Sequence, residues 1–203
     1  MKRRIFLKTL AATGAFGLTS AVESKDQSSD GTPLQFMPKT APDKNPLESE
    51  LEKYPKCPYC GMSRHKFNHS RHLIVYDDDL VDGTCSIHCA AISLSLNIDR
   101  GPKAIYAPDF GSSAEIKPLI NVDEDVHYLV GSKLKGTMSG HSKMAFADEG
   151  RAKAVKAEEG GEIVGFEDAL TEAYLDMAKD TRMIRKRRAE RRARMQAKKH
   201  HQQ

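Results

Sequence analysis

The sequence predicts an α+β fold in which two small α+β units lie side by side and a basic helix follows them. Short apolar runs rich in β-branched residues are spread along the middle of the chain, and two segments between them have helical spacing. At the end of the chain, eleven of the last 25 residues are Lys or Arg and only two are acidic. If the first 21 residues are removed as an export signal, about 180 residues remain, which is enough for one domain with a hydrophobic core.

The predicted elements follow in the order strand, helix, strand, strand, strand, helix, strand. The first strand is the apolar run "HLIVY" at residues 72–76, and the polar stretch "DDDLVDG" after it predicts a turn. The first helix lies in "CSIHCAAISLSLN", and "KAIYAPDF", "PLINV" and "VHYLVGS" predict the next three strands. The second helix, in residues 148–159, begins with acids and stops at two glycines, after which "EIVGF" predicts the last strand.

The amino terminus, "MKRRIFLKTLAATGAFGLTSA", predicts an export signal over residues 1–21. It has a basic start, a modest apolar run and small residues spaced like a cleavage site. The apolar run is too short and too diluted by Thr and Gly to predict a membrane span. Its paired arginines resemble the signal of the twin-arginine pathway, so we expect a periplasmic protein. The cleavage region contains no cysteine, which argues against a lipid anchor.

The rest of the chain divides into a linker, a domain and a tail. Residues 22–52 are rich in Ser, Asp, Pro and Lys and lack sustained periodicity, which predicts a flexible linker. We place the metal-binding domain at residues 53–167 and a helix with a basic tail at residues 168–203. Without the signal and residues 179–203, the chain has 17 basic and 26 acidic residues. The net charge of +4 therefore combines an acidic domain with a basic tail.

The four cysteines lie in one window, as Cys57-x2-Cys60 and, after 24 intervening residues, Cys85-x3-Cys89. Two pairs of thiols at this spacing predict either a metal cage or two disulfides. A tetrahedral zinc site would use all four thiolates, whereas an oxidising compartment favours disulfides. A thioredoxin-like redox role is disfavoured, because neither a strand before C-x-x-C nor a helix after it is predicted.

Methionines favour a softer metal than zinc. Met62 follows Cys60 closely, and a thioether combined with thiolates favours Cu(I) over zinc. A second group, Met138, His141 and Met144, lies in the glycine-flanked segment "GTMSGHSKMAF", although Met144 beside Ala-Phe also suits a core position. Imidazole ligands could also come from the charged segment that follows the first cysteine pair, at His65, His69 and His72.

These motifs, taken in order, resemble the NosL family, the nitrous oxide reductase accessory proteins. The matching features are "CPYCGM", a Tyr-x-x-Asp strand end, a Val-Gly-Ser strand end, a methionine before "AF", an alanine-rich helix, Gly-Gly and a strand ending in Phe, over roughly residues 55–167. The resemblance implies a non-catalytic, periplasmic Cu(I) metallochaperone that helps to deliver copper to nitrous oxide reductase. It also implies two ββαβ units, a fold shared with the organomercurial lyases.

The resemblance also implies metal ligands. The thiols of the family motif match Cys57 and Cys60, its methionine matches Met62, and the methionine before "AF" matches Met138. The chain departs from the family in its twin-arginine signal, since family members are commonly lipoproteins. It departs again in "CSIHC", which resembles the second half of the YHS and TRASH metal-binding modules. The candidate metal ligands are Cys57, Cys60, Met62, Cys85, His88, Cys89, Met138 and His141.

Two arrangements of these ligands stay open. Copper could bind the first cysteine pair and the methionines in an open site, from which it leaves by ligand exchange. Alternatively, the four cysteines could form a closed structural site, leaving Met138 and a histidine to hold the transferable metal. The corresponding functions are a Cu(I) chaperone and a zinc-structured adaptor. Enzymatic alternatives are a thiol-disulfide oxidoreductase and, through the fold shared with the lyases, a carbon-metal lyase.

The basic tail predicts electrostatic attachment to anionic lipid headgroups or docking on an acidic partner. Nucleic acid is an unsuitable partner, because an exported protein rarely meets it. A disordered, solubilising tail is the alternative. We expect the remaining partner to be the copper enzyme that receives the metal, or its maturation complex.

Overall fold

The computed structural model describes residues 38–200, with side chains described to residue 198. The signal predicted for residues 1–21 lies outside the described residues, as do residues 22–37 of the predicted linker. Helices and strands follow in the order α1 (Glu50–Lys53), β1 (His72–Tyr76), β2 (Val81–Thr84), α2 (Ile87–Leu96), β3 (Pro102–Pro108), β4 (Leu119–Asn121), β5 (His127–Val130), β6 (Lys143–Phe146), α3 (Glu149–Glu159), β7 (Glu162–Val164) and α4 (Phe166–His200). None of these helices combines the length and apolar character of a membrane span within the described residues.

The strands form two antiparallel sheets, one in each half of the domain. The first sheet has the order β2-β1-β3-β4 and the second has the order β6-β5-β7. In each sheet, the first strand pairs with the strand after it and with the strand that follows the intervening helix. Both halves are therefore ββαβ units, which confirms the predicted α+β fold, and β4 extends the first sheet at its edge.

The sequence prediction was wrong about β2 and β6, each the second strand of its unit. β2 occupies the end of the predicted polar turn, and β6 occupies the end of the predicted glycine-flanked loop. All four residues of each strand are buried, so neither shows the alternation of apolar and polar residues that marks a half-buried strand. Asp82, Gly83 and Lys143 weaken the signal further, because these residue types are depleted in strands.

One hydrophobic core joins the two units. Residues of both sheets and of two helices contribute to it, namely Ile74, Tyr76, Ile105 and Ala107 from the first sheet, Tyr128 and Ala145 from the second, Ile87, Ala90 and Ala91 from α2, and Phe166, Ala169 and Ala173 from α4. The start of the carboxy-terminal helix is therefore packed in this core. This packing fixes α4 against α2, which carries Cys89.

The last part of the predicted linker also contacts the domain. The Glu50 side chain is buried and forms ion pairs with Arg64 and Arg71. Asp43 Oδ2 lies 2.9 Å from Lys53 Nζ and accepts a hydrogen bond from Tyr54 Oη at 2.8 Å. Part of residues 22–52 is thus packed against the domain, whereas the domain boundaries themselves stay predictions.

Candidate metal centre

The four cysteines converge on one point of the structure. Their Sγ atoms all lie within 4.8 Å of one another, with 3.3 Å between Cys60 and Cys85 and 3.8 Å between Cys85 and Cys89. All four are free thiols, and Cys60 is partly exposed whereas the other three are buried. Four sulfurs bound tetrahedrally at about 2.3 Å from one ion would lie about 3.8 Å apart. The cluster can therefore close around a single metal ion with small movements.

Two short pieces of backbone present these thiols. Cys57 and Cys60 lie in a tight turn in which Gly61 N donates to Cys57 O and Cys57 N donates to Met62 O, both at 2.9 Å. Gly61 has φ of 74°, in the left-handed region that favours glycine. Cys85 directly follows β2, and Cys89 lies in the first turn of α2. The second pair therefore depends on the strand that the sequence analysis missed.

Arg64 connects the two pieces, and sequence reasoning did not identify it. Its side chain is completely buried, and its Nη1 lies 2.7 Å from a carboxylate oxygen of Glu50. Nη1 also donates to Tyr54 O at 2.7 Å, and Nε donates to Thr84 O at 3.1 Å. These carbonyls lie just before the first and second cysteine pairs. In the sequence, Arg64 is one of several charges in a polar segment, so no local signal marks it.

Two of the predicted methionine ligands lie at the cluster. Met62 and Met138 are partly buried and pack against Cys57, Cys85 and Cys89. Met138 has φ of 61°, which is uncommon for a residue other than glycine and often marks a functional position. Met144 packs away from the cluster, with Leu129, Phe146 and Ala152, in the core position that its Ala-Phe neighbours suggested. The cluster thus offers four thiols and two thioethers, all soft donors.

The two predicted histidine ligands are tied to carboxylates of α4. His88 Nδ1 lies 3.3 Å from Asp180 Oδ2, and His141 Nδ1 lies 3.1 Å from Asp176 Oδ2. Carboxylate-bound imidazoles are common around metal sites, where the other ring nitrogen binds the ion. Sequence reasoning placed Asp176 and Asp180 in the carboxy-terminal helix and basic tail and did not identify either as a partner of these histidines.

The three histidines between the cysteine pairs do not join the cysteine group. His72 is buried, and its ring lies 2.9 Å from Tyr128 Oη. His69 lies between Phe67 and Phe110, and His65 is exposed. Of the predicted imidazole ligands, only His88 and His141 therefore lie on elements next to the cluster.

The thiols influence one another strongly. Hydrogen bonds from the thiols of Cys60, Cys85 and Cys89 hold the pKa of Cys57 well below its ordinary value. Hydrogen bonding with the thiols of Cys57 and Cys60, together with burial, raises the pKa of Cys85 and of Cys89 well above its ordinary value. The pKa of Cys60 is also lowered, mainly by hydrogen bonds with Cys85 and Cys89, so without a metal negative charge is favoured on the first cysteine pair over the second. A metal ion that binds several thiolates must displace the remaining protons.

Comparison with known proteins gives a family match and a structural likeness. A family model described as NosL matches residues 48–174, which is more than half of the chain. The crystal structure of the copper chaperone NosL from Shewanella denitrificans is 25% identical to the chain, with a TM-score of 0.46, and the match covers 55% of this chain and 87% of that one. No curated protein matches the chain. The family match includes the whole cysteine and methionine cluster and ends before Asp176.

Proposed function

The chain belongs to the NosL family, and we propose that it is a non-catalytic, periplasmic Cu(I) metallochaperone that supplies copper for the assembly of nitrous oxide reductase or a related copper enzyme. The observation that carries the proposal is the convergence of four thiols with the thioethers of Met62 and Met138. This donor set contains sulfur alone, and thioethers combined with thiolates favour Cu(I) over zinc.

The exposure of the cluster supports transfer of the metal. Cys60, Met62 and Met138 are partly exposed, whereas the other three cysteines are buried. A partner's histidine or methionine can therefore approach from the side of Cys60 and replace one sulfur at a time. Copper would pass between proteins by such ligand exchange without being released as a free ion.

A structural zinc site is the second candidate, because the same geometry supports it. Four thiols within 4.8 Å of one another match a closed cage of four cysteines. In that case Met62 and Met138 would be packing residues only, and the protein would be a zinc-structured adaptor. The thioredoxin-like alternative receives no support, since Cys57 and Cys60 lie in a turn and not at the start of a helix.

Location and partners complete the proposal. The twin-arginine pattern of residues 1–21 supports export to the periplasm. We define the basic segment as residues 181–198 of α4, which contain nine Lys or Arg and one acid. This segment is suited to an anionic membrane surface.

Anaerobic titration with Cu(I) against a competing chelator tests the copper site. We expect one Cu(I) ion for each protein, and we expect Cys57→Ser to abolish tight binding. Met138→Ala should weaken binding by at least about tenfold, a typical loss for a metal site that is missing one supporting group. Met144→Ala serves as the matched control, because that methionine is buried in a separate apolar cluster.

The metal content of the purified protein distinguishes the copper chaperone from the zinc-structured adaptor. Protein purified from the periplasm should contain copper, or bind Cu(I) in preference to an equal concentration of Zn²⁺. A tightly held zinc ion that Cu(I) does not displace would establish the adaptor function instead. Unchanged Cu(I) affinity in both Cys57→Ser and Met138→Ala would contradict the proposed site.

A further inference from the structure

The middle of α4 lies beside the candidate metal centre. Asp180 is 3% exposed and is bonded through both carboxylate oxygens. Oδ1 accepts a hydrogen bond from Gly140 N at 2.8 Å, and Oδ2 lies 3.3 Å from His88 Nδ1. Gly140 is two residues from Met138, and His88 is adjacent to Cys89. One side chain of α4 therefore contacts both sides of the cysteine and methionine cluster.

Neighbouring contacts show that α4 continues along the cluster. One turn before Asp180, Asp176 Oδ2 lies 2.7 Å from Lys143 Nζ and 3.1 Å from His141 Nδ1. Two turns after Asp180, Arg188 Nη2 lies 3.4 Å from Cys60 O. These three residues of α4 lie beyond residue 174, where the family match ends. The contacts to the centre thus come from a part of the chain that the family model does not include.

The segment that carries Met138 needs such support. We define the methionine loop as residues 136–142. Met138 has a left-handed backbone conformation, which costs on the order of 1 kcal/mol or more for a residue with a side chain. On one side the loop is held through Thr137, whose Oγ1 lies 2.9 Å from Ser70 Oγ, and Ser70 in turn donates to Cys85 O at 2.9 Å. On the other side it is held by Asp180.

We propose that Asp180 is a positioning residue of the metal centre: by holding Gly140 N and His88, it keeps the Met138 thioether against the cysteines. Asp180 binds no metal in this arrangement. Its carboxylate replaces the water that would otherwise solvate Gly140 N, and it fixes the loop conformation in which Met138 faces the cluster. Segment 175–188 of α4 is then part of the metal centre and not only a tail. This inference rests on the proposed function, because it assigns Met138 to the copper site.

The test combines Cu(I) affinity with a signal from Met138 itself. Full-length protein labelled with [13C-methyl]methionine is titrated anaerobically with Cu(I) against a competing chelator. In the wild-type protein, the Met138 methyl resonance, assigned through Met138→Ala, should shift when Cu(I) binds. Asp180→Ala should lower the Cu(I) affinity by the same factor as Met138→Ala, and the shift should disappear. Asp180→Asn keeps an acceptor for Gly140 N, so it should retain the shift and most of the affinity.

A double variant separates positioning from a general loss of structure. If Asp180 acts through Met138, then Asp180→Ala should have no further effect on affinity in the Met138→Ala background. Asp168→Ala, at an exposed acid on the same helix, is the matched control and should leave both readouts unchanged. Asp180→Asn is the variant to compare if Asp180→Ala does not fold.

The outcomes distinguish this inference from the proposed function. If Met138→Ala lowers the Cu(I) affinity and Asp180→Ala does not, the role of Asp180 is overturned and the proposed function stands. Equal losses of Cu(I) affinity in Asp180→Ala and Asp180→Asn would also overturn the role of Asp180. Additive losses of affinity in the double variant would do the same. If Met138→Ala leaves the Cu(I) affinity unchanged, Met138 is not a ligand of the copper site, and the inference about Asp180 is overturned as well.

Discussion

His72 shows how burial determines the charge of one side chain in the core between the two sheets. Its Nδ1 lies 3.1 Å from Ser70 O, and its Nε2 lies 2.9 Å from Tyr128 Oη. A carbonyl can only accept, so Nδ1 carries the proton and Nε2 accepts from the tyrosine. Burial lowers the pKa of His72 to about 4. The folded protein therefore holds this imidazole neutral at pH values where an exposed histidine is charged.

We predict that His72 makes the folded protein less stable as the pH falls from about 6.5 to about 4. Over this window the unfolded chain binds a proton at His72 and the folded chain does not, so protonation favours unfolding. Below pH 4 the accumulated loss is about 3 kcal/mol. The stability advantage of wild-type protein over His72→Gln should therefore shrink by about 2 kcal/mol between pH 7 and pH 4.5.

Urea unfolding at the two pH values measures this difference. His65→Gln provides the control, because it makes the same replacement at an exposed position of the same segment. An advantage of wild-type over His72→Gln that is equal at both pH values would show that His72 is not held neutral.

Among the secondary structure elements, α1 depends most clearly on tertiary contacts. It has only four residues, too few for a helix to be stable by itself. Glu50 is buried with its oxygens 2.7 Å from Arg64 and 2.7 Å from Arg71. Arg64 continues from this ion pair to the carbonyls beside both cysteine pairs. The ion pair therefore connects α1 to the backbone that presents the thiols.

Glu50→Ala should lower the free energy of unfolding by about 3–5 kcal/mol, because it leaves two buried guanidinium groups without their carboxylate. Glu52→Ala, at an exposed position of the same helix, should change it by less than about 0.5 kcal/mol. Chemical denaturation of the metal-free proteins gives both values. If Glu50→Ala and Glu52→Ala lower the free energy of unfolding by similar amounts, the buried ion pair is not the source of the stabilisation.

Across the whole molecule, charge is separated along the length of α4. Its first half carries Asp176 and Asp180, which bond to the loop beside the cysteine and methionine cluster, whereas residues 185–198 are all exposed and mostly basic. Basic residues occur around the whole circumference of this segment, and it has no apolar face to insert into a bilayer. Any attachment to a membrane should therefore be electrostatic and at the level of the headgroups.

We predict that the protein binds vesicles containing anionic lipid at low salt and is released by high salt. Replacement of Arg187, Arg191, Arg192 and Arg194 by Gln should weaken binding by about 4 kcal/mol, at roughly 1 kcal/mol for each charge near the surface. Replacement of Lys133, Lys135, Lys153 and Lys156 by Gln is the control, because these exposed lysines lie on the body of the domain.

The fraction of protein that sediments with vesicles is measured at two salt concentrations. Neutral vesicles and polyglutamate are included for comparison. Binding that is absent or insensitive to salt would contradict attachment to headgroups. Binding to polyglutamate alone would identify an acidic protein as the partner instead.

The sequence by itself determined the α+β class, the order of most elements, and the sulfur donors of the candidate site. Apolar runs and helix stop signals are local features, so β1, α2 and α3 could be predicted from short windows. The soft donors at Cys57, Cys60, Met62 and Met138 were identified by their chemistry and by their resemblance to the family. Residue type and spacing were sufficient for these conclusions.

Only the tertiary structure decided how these parts meet. It paired β2 and β6 into sheets, and it brought the sulfur atoms of the two cysteine pairs within 4.8 Å of one another although 24 residues separate the pairs. It also placed Arg64 and Asp180 beside the cluster, where their buried charges bond to backbone and histidine atoms from distant segments. The physical reason is that a buried polar side chain takes its role from the partners that satisfy it, and those partners lie far away in the sequence.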